Sequence, residues 1–353
     1  MKPSLLLSSL LTIPVVLASP SPFPSRRSCQ THQLCPKNTL IVSSNTHPAA
    51  NFSSIQAAIA SLPADNSTQT ILILPGLYHE QLNITRAGPV TLLGQTDHLT
   101  DPTKNKVTIT WAQANHDNTG KDVDNVFSSV LTVAPTLESS YTGSGPTGYP
   151  VPDDTPFGNV NFRAYNIDFR NTWAEYSDGP AHALSFSRSN GGFYHCGFYS
   201  YQDTVYIGKL ANAYIYNSII AGQTDFIYGF GTAWIQSSQL LLRSCGGGIT
   251  AWKGTNTTFP NAYGVYIVDS TVRAANATIA PSIVGQCALG RPWNSLHRSI
   301  FARTYEDASV APAGYVDWMV DGIGDELLDL ERLRRHLKTS PMLYQGSRSG
   351  KPV

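Results

Sequence analysis

Charge is scarce in this sequence and is evenly balanced. Charged residues make up 14% of the 353 positions, and 24 lysines and arginines are matched by 24 aspartates and glutamates. This balance gives no electrostatic basis for binding nucleic acid or an anionic membrane surface. Methionine is also rare, with 3 copies, whereas tyrosine has 17. Many tyrosines and few charges favour an extracellular protein that handles neutral polar ligands.

The sequence also lacks an apolar run long enough to span a membrane. Its longest apolar stretch, at residues 5–17, is short and ends in a cleavage-like site at Ala18. This pattern predicts a secretory signal peptide at 1–18, rather than a transmembrane helix. Residues 19–39 follow as a propeptide-like or disulfide-bearing segment. We therefore expect a secreted, extracellular protein without a membrane partner.

Cysteine is sparse, with 5 copies, and the number is odd. Cys29 and Cys35 are close enough in sequence to form a disulfide in an oxidising exterior. The pairing of Cys196, Cys245 and Cys287 stays open, and we expect at least one of them to be a buried thiol. Five glycosylation sequons also support secretion, and they begin at Asn51, Asn66, Asn83, Asn256 and Asn276.

Helical periodicity is confined to one early segment. Residues 52–62 carry apolar side chains at helical spacing and stop at Pro63, which predicts a short N-terminal helix. The following segments are short, rich in β-branched and aromatic residues, and separated by Gly, Asn, Ser or Asp. Since no helices alternate with these strands, a βαβ fold is excluded. Only residues 321–353 again favour a helix, as a charged C-terminal tail.

Two of the strand-rich segments repeat each other. The stretch GGFYHCGFYSYQDTVY at 191–206 aligns with NAYIYNSIIAGQTDFIY at 212–228 at an offset of 22, and the next repeat follows at about 20. A strand repeat of this length with few tight hairpins predicts an all-β fold, a right-handed parallel β-helix over residues 40–320. A β-sandwich is the alternative, because Asn190-Gly191 and Asp178-Gly179 could form hairpin turns.

The repeat places two acids at equivalent positions. Asp203 and Asp225 are 22 residues apart, so in a β-helix they are neighbours in successive coils, about 4.8 Å apart along the axis. Two carboxyl groups this close cannot both ionise cheaply. One protonated and one ionised carboxyl group form a general acid and a nucleophile or base. The alternative is a solvated ladder of turn aspartates, which the aromatic residues flanking both positions disfavour.

Three motifs resemble the central signatures of the pectin methylesterases (pectinesterases). They are YQDTVY at 201–206, GQTDFIYG at 222–229 and LGRPW at 289–293. The upstream GLYHE at 76–80, the predicted N-terminal helix and ITAWKG at 249–254 match further stretches of that family, so the resemblance runs from about 40 to 318. It implies a secreted, fungal-type enzyme that hydrolyses methyl esters of galacturonate units in pectin and releases methanol, with no metal or cofactor. We expect a monomer.

The resemblance also implies a role for each matching residue. Asp225 corresponds to the nucleophile, and Asp203 to the acid that protonates methanol and then acts as base. Gln202 corresponds to a donor to the oxyanion, and Arg291 to the guanidinium that orients the nucleophile and favours its ionised form. Trp293 corresponds to a sugar-stacking wall. Four further side chains are expected to contact the substrate, and these are Tyr201, Tyr206, Tyr228 and His182.

One departure from the family pattern concerns the oxyanion. Pro180 stands where the family has a second glutamine, in PAHAL instead of Gln-Ala-Val-Ala-Leu. His182, on the same face of an extended strand, is the candidate to replace part of this donor, and the alternative is that it is only a core-facing or surface histidine. The missing glutamine keeps a second hypothesis open, a non-catalytic or weakly active galacturonan-binding β-helix. A pectate lyase or polygalacturonase is the third, although no calcium-binding acid cluster is evident and adjacent coils bring carboxylates closer than an inverting hydrolase needs.

Overall fold

The computed structural model describes residues 35–116, 123–142, 154–254 and 263–318. The predicted signal peptide at 1–18, the predicted tail at 321–353, Cys29 and the sequon at Asn256 lie outside the described residues. Three sheets of 9, 8 and 7 strands form the fold. The one α-helix in the described part of the chain is Ile55–Ala60, as predicted. Short 3-10 helices lie at Pro102–Lys104, Asn125–Ser128, Glu138–Ser140 and Ala280–Ser282.

Each coil of the chain contributes a strand to each sheet in turn. Sheet 1 contains Leu40–Val42, Gln69–Ile73, Val90–Gly94, Phe162–Tyr165, Asn190–Tyr194, Asn212–Tyr216, Thr232–Gln236, Gly264–Val268 and Ser299–Ala302. Sheet 2 contains Gly76–His79, Val107–Trp111, Ile167–Asn171, Gly197–Tyr199, Ile219–Gly222, Gln239–Leu242, Thr271–Ala274 and Tyr305–Glu306. Sheet 3 contains Leu82–Ile84, Leu131–Val133, Leu184–Phe186, Val205–Ile207, Ile227–Gly229, Gly248–Trp252 and Ala288–Gly290.

The register of the strands confirms the repeat that the sequence predicted. Asn190 pairs with Asn212 in sheet 1 and Val205 with Ile227 in sheet 3, both at an offset of 22. The next coil pairs Asn212 with Thr232, which is an offset of 20. Every strand pair in the described chain is parallel, from the first coil to the last. Antiparallel hairpins of a β-sandwich are therefore excluded, and the parallel β-helix is confirmed.

A single left-handed residue turns the chain from sheet 1 into sheet 2. His195, Asn217, Ser237 and Asp269 occupy this position in successive coils, with φ between 44° and 55°. Short polar side chains and histidine tolerate this conformation better than β-branched ones. The residue after each turn carries a side chain inward, and these form a hydrogen-bonded ladder. In this ladder the backbone N–H of one coil donates to the serine Oγ of the next at 3.1 Å, from Cys196 to Ser218, Ser238 and Ser270.

The interior is filled by stacked aromatic and aliphatic side chains. Phe169 and Phe198 stack with ring centroids 5.6 Å apart, and Phe193 packs edge-on against Phe198 at 5.5 Å. Burying each such ring contributes roughly 1.5–3 kcal/mol. The helix Ile55–Ala60 covers the N-terminal end of this core, and its first N–H groups donate to the Glu80 carboxylate at 2.9 Å. No helix in the described ranges is long and apolar enough to cross a membrane.

The cysteines divide into two kinds. Cys245 and Cys287 form a disulfide that joins two parts of the chain 42 residues apart. Cys35 is also disulfide-bonded. Cys196 is a buried thiol, in line with the expectation of at least one, and its Sγ lies 3.4 Å from the carbonyl oxygen of Tyr194.

Candidate active site

Asp203 and Asp225 occupy the same turn in successive coils, between sheet 2 and sheet 3. Both are left-handed, with φ of 58° and 46°. A bridge between Gln202 and Thr224 fixes the register, and the N–H of Asp203 donates to the Thr224 carbonyl at 3.0 Å. Because aspartate is among the residues that adopt a left-handed conformation most readily, each acid suits its turn locally. Both carboxyl groups are nearly buried, with 7% and 5% of each residue exposed.

Arg291 holds the carboxylate of Asp225 from one side. Its Nε lies 2.9 Å from Oδ1 and its Nη2 lies 2.5 Å from Oδ2, a two-pronged ion pair. The backbone N–H of Gly248 donates to the same Oδ1 at 3.1 Å. Gly247 leaves the room for this arrangement, because a Cβ there would lie 2.8 Å from Asp225 Oδ1. A charge-assisted pair of this geometry fixes the orientation of the carboxylate.

Asp203 has no such guanidinium bond. The Nδ2 of Asn125 lies 3.5 Å from its Oδ2. Burial raises the pKa of the Asp203 carboxyl well above its usual range, and the charge of Asp225 raises it further. Arg291 and a hydrogen bond from Tyr228 oppose part of this rise. The turn therefore places an acid whose pKa is raised beside one that is ion-paired with Arg291, a difference that favours the division of charge expected from the sequence.

Amide donors lie next to the two acids. Ser177 donates to Oε1 of Gln202 at 2.8 Å, which leaves the Nε2 of that amide as a donor for a ligand. Asn125 is the first residue of the 3-10 helix Asn125–Ser128. Its Nδ2, which lies near Asp203, also donates to the Tyr228 hydroxyl at 3.2 Å. The Gln202 amide can therefore stabilise negative charge that develops on a substrate oxygen, whereas the Asn125 amide is directed at Tyr228 and Asp203.

An aromatic wall, formed by Trp293, Trp318 and Phe230, borders the acids. Trp293 is half-buried and stacks on Trp318 with centroids 5.9 Å apart, while the Arg291 guanidinium lies 4.1 Å from the Trp318 ring centroid. Behind it, the Nζ of Lys253 lies 3.2 Å from the Trp293 centroid and 4.1 Å from that of Phe230. Burial, assisted by the charge of a second lysine, lowers the pKa of Lys253 to about 6. The half-buried indole of Trp293 is thus held between the Trp318 ring and the Lys253 amine, with part of it exposed beside the acids.

The remaining predicted contacts are placed differently. Tyr206 and Tyr228 are 1% and 2% exposed, and their rings, 4.9 Å apart, support the wall instead of forming its surface. The ring of Tyr201 is half-buried, with the Arg243 guanidinium 4.5 Å from its centroid. The structure therefore does not place Tyr206 and Tyr228 as the surface contacts that we expected, and the role of Tyr201 stays a prediction.

His182 is also buried, with no exposed surface. Its Nδ1 lies 3.1 Å from Ser129 Oγ and its Nε2 lies 2.6 Å from the Tyr228 hydroxyl. Burial lowers the pKa of His182 to about 3, so the ring is neutral. Since both nitrogens have protein partners, the expectation that His182 replaces the oxyanion donor lost at Pro180 is wrong. The strand begins only at Leu184, so strand alternation does not set the direction of this side chain.

Four residues of the site were not found from the sequence. Asn125 and Trp318 come from segments far from the acidic motifs, and no local pattern marks them. Gly247 lies in Gly246-Gly247-Gly248, a run of glycines that signals close backbone approach but not its partner. Lys253 lies within ITAWKG, where a lysine reads as a surface residue. Within the described segments no three His, Cys, Asp or Glu side chains are placed to hold a metal ion.

The sequence is similar to those of known proteins over most of its length. The sequence model of the Pectinesterase family matches residues 156–331. Probable pectinesterase A of Aspergillus niger is 30% identical over 275 residues, covering 77% of this chain and 71% of that protein. Pectinesterase A of Emericella nidulans is 28% identical over 304 residues, covering 84% and 79%.

The likeness extends to the fold. The crystal structure of the pectin methylesterase from Aspergillus niger, in deglycosylated form, superposes with a TM-score of 0.64 at 27% identity, over 82% of each chain. Sequence relatives of fungal origin and a solved fungal structure thus agree with the parallel coils. The chain is a member of the pectinesterase family.

Proposed function

We propose that this protein hydrolyses methyl esters of galacturonate units in pectin at the turn formed by Asp203 and Asp225. The observation that carries the proposal is the division of charge between two adjacent acids. Asp225 is paired with Arg291 as a carboxylate, while burial and the charge of Asp225 raise the pKa of Asp203. A nucleophile and an acid of one site need this difference.

In the first half of the reaction, a carboxylate oxygen of Asp225 attacks the carbonyl carbon of the ester. The carbonyl oxygen becomes an oxyanion, which accepts a hydrogen bond from the Nε2 of Gln202. When this tetrahedral intermediate collapses, the bond to the methoxy oxygen breaks and that oxygen takes the proton of Asp203. Methanol leaves, and the galacturonate remains as an anhydride on Asp225.

In the second half, Asp203 is a carboxylate and accepts a proton from water. The resulting hydroxide attacks the carbonyl carbon of the anhydride, and the bond to Asp225 breaks. The products are a galacturonate acid group and the Asp225 carboxylate, while Asp203 regains its proton. Every proton that Asp203 gives to methanol thus returns from water. Arg291 holds Asp225 through both halves, because its three N–H contacts fix the attacking oxygens.

The aromatic wall supports the assignment of a sugar substrate. We propose that Trp293 packs its indole face against a galacturonate ring beside the scissile ester, with Trp318 holding the indole in place. The buried rings of Tyr206 and Tyr228 pack behind Trp293 and hold it in place. The reaction uses no metal ion in this proposal.

We further propose that the protein is secreted and acts as a monomer. The four sequons in the described chain, at Asn51, Asn66, Asn83 and Asn276, are all exposed and accessible to glycosylation. The disulfide between Cys245 and Cys287 also fits an oxidising compartment. We propose the boundaries predicted from the sequence, a signal peptide at 1–18, a segment at 19–39, a catalytic β-helix at 40–320 and a C-terminal tail at 321–353.

The test is an assay of the purified secreted protein on highly methylated pectin. We expect methanol release without shortening of the chain, without new 4,5-unsaturated ends and without sensitivity to a chelator. Asp225→Asn and Asp203→Asn are expected to lose nearly all turnover, because an amide neither attacks nor transfers the proton. Unsaturated ends that disappear with chelator would identify a lyase, and chain shortening a glycosidase.

A binding protein gives a different result from an impaired esterase. If wild type binds pectin but releases no methanol, the galacturonan-binding hypothesis prevails and the esterase proposal fails. Asp225→Asn provides the matched control, because it keeps the shape of the side chain and should retain pectin binding whether or not wild type is active.

A further inference from the structure

A chain of buried hydrogen bonds leads away from the acid Asp203. The Tyr228 hydroxyl bonds its carboxyl group and lies 2.6 Å from His182 Nε2. On the far side of the histidine ring, Nδ1 lies 3.1 Å from Ser129 Oγ. The Asn125 amide also donates to the Tyr228 hydroxyl, at 3.2 Å. No step of the proposed reaction uses Tyr228, His182 or Ser129.

One tautomer of His182 directs the hydrogen of the Tyr228 hydroxyl towards Asp203. Burial raises the pKa of Tyr228, so its hydroxyl keeps one hydrogen to donate. Asn125 Nδ2 is only a donor, so it occupies a lone pair of the tyrosine oxygen. The neutral ring of His182 has one donor and one acceptor nitrogen. When Ser129 donates to Nδ1, Nε2 donates to the tyrosine oxygen and leaves its hydrogen for Asp203.

We propose that Tyr228 is a positioning residue for Asp203, and that His182 and Asn125 hold its hydroxyl so that it donates to the carboxylate left after Asp203 has protonated methanol. This inference rests on the proposed function. The ionised form of Asp203 is the costly state, because it is buried beside Asp225 and lacks a bonded guanidinium. A donor fixed in advance lowers that cost at both proton transfers.

The proposal predicts a shift in pH dependence. A hydrogen bond to the ionised form lowers the pKa of a carboxyl group, so its removal raises that pKa. The other groups that bear on this pair are the Asp225 carboxylate, the Arg291 guanidinium, Asp124 and Tyr206. The substitution of Tyr228 removes none of them. The change in titration can therefore be assigned to the lost hydroxyl.

The experiment compares Tyr228→Phe with wild type over a range of pH. We expect the alkaline limb of kcat/KM, where Asp203 loses its proton in the free enzyme, to move to higher pH. We expect kcat to fall about tenfold or more, because a donor to a charged acceptor is lost, and KM to change little. Tyr206→Phe is the matched control, since it removes the hydroxyl of the neighbouring buried tyrosine. Its alkaline limb should stay where the wild-type limb lies.

The histidine is tested by two variants. His182→Gln retains an amide that can donate to the Tyr228 oxygen, whereas His182→Phe does not. We expect the limb of His182→Phe to shift in the same direction as that of Tyr228→Phe, and His182→Gln to restore part of the wild-type position. Circular dichroism and thermal unfolding check that each variant is folded.

A purely structural role would give another pattern. If kcat of Tyr228→Phe falls but the alkaline limb stays in place, or if neither changes, the proposal is overturned. The titration of Asp203 can also be followed without turnover by infrared spectroscopy. The carboxyl band of Asp203 is identified as the one that is missing from the spectrum of Asp203→Asn. Should wild type release no methanol, a higher pKa of this band in Tyr228→Phe still supports the positioning role, and an unchanged band refutes it.

Discussion

Replacing Asp203 by asparagine is expected to stabilise the fold while abolishing turnover. Burial and the charge of Asp225 raise the pKa of Asp203 in the folded protein, whereas an unfolded chain has the ordinary value of about 3.9. Between these values the folded state binds a proton that the unfolded chain has lost. The contribution of Asp203 to stability therefore decreases as the pH rises above about 4.

The gain in the free energy of unfolding of Asp203→Asn has an upper limit at pH 7. Each pH unit in which only the folded state is protonated lowers the free energy of unfolding by about 1.4 kcal/mol. The window from about pH 4 to pH 7 spans about three units, so asparagine, which does not titrate, gains at most about 4 kcal/mol at pH 7. At about 2 °C per kcal/mol for a chain of this size, the Tm rises by up to about 8 °C.

Asp225→Asn is the matched control, with the opposite sign. It leaves the Arg291 guanidinium, whose side chain is 22% exposed, without its carboxylate, and we expect a loss of about 1–3 kcal/mol. Thermal unfolding of wild type and both variants at pH 7 and pH 4 measures these differences. A Tm of Asp203→Asn at or below wild type at pH 7, or a gain that persists undiminished at pH 4, would refute the reasoning.

Three further predictions follow from the same geometry. Gly247→Ala should lower kcat at least tenfold, because the added Cβ would lie 2.8 Å from Asp225 Oδ1 and 2.9 Å from Arg291 Nε. Gly285→Ala is the control. Gly285 is also left-handed, with φ of 68°, but a Cβ there would have nothing within 4 Å, so this variant should lose stability only. Pro180→Gln should raise the rate of methanol release, by up to about 10²-fold if it restores a full oxyanion donor, and an unchanged rate would show that the cleft does not need it. Burial lowers the pKa of His182 to about 3 and of His297 to about 4, so stability from these neutral rings should fall by about 1.4 kcal/mol per pH unit for each as the pH drops from about 6.5 towards 4. Replacing His297 by glutamine should flatten the dependence of Tm on pH over this range, and an unaltered slope would contradict the assignment.

Much of the fold follows from local sequence. The period of 22 residues, the short β-branched strands and the polar residues at left-handed turns are each visible along the chain, because a coil of a β-helix contacts chiefly its neighbours. The same period places Asp203 and Asp225 at equivalent positions in successive coils. The helix Ile55–Ala60 was likewise predictable, since its apolar spacing and the stop at Pro63 are local features.

The contacts that decide the chemistry join distant parts of the chain. Arg291 reaches Asp225 across 66 residues, and Asn125 reaches Tyr228 across 103. Sequence motifs suggested the first of these pairs, but nothing in the sequence marked the second. The pairing of Cys245 with Cys287, left open by the odd number of cysteines, is also settled only when the two strand ends meet.

His182 shows most clearly where sequence reasoning ended. The sequence determined that a histidine stands two residues beyond Pro180, and alternation in a strand would have aimed it at the substrate. The tertiary structure begins the strand at Leu184 and turns the ring inward, between Ser129 and Tyr228. The direction of a side chain in a turn depends on the backbone dihedrals and on the neighbours that satisfy its nitrogens, and both are set by coils that the sequence order keeps far apart.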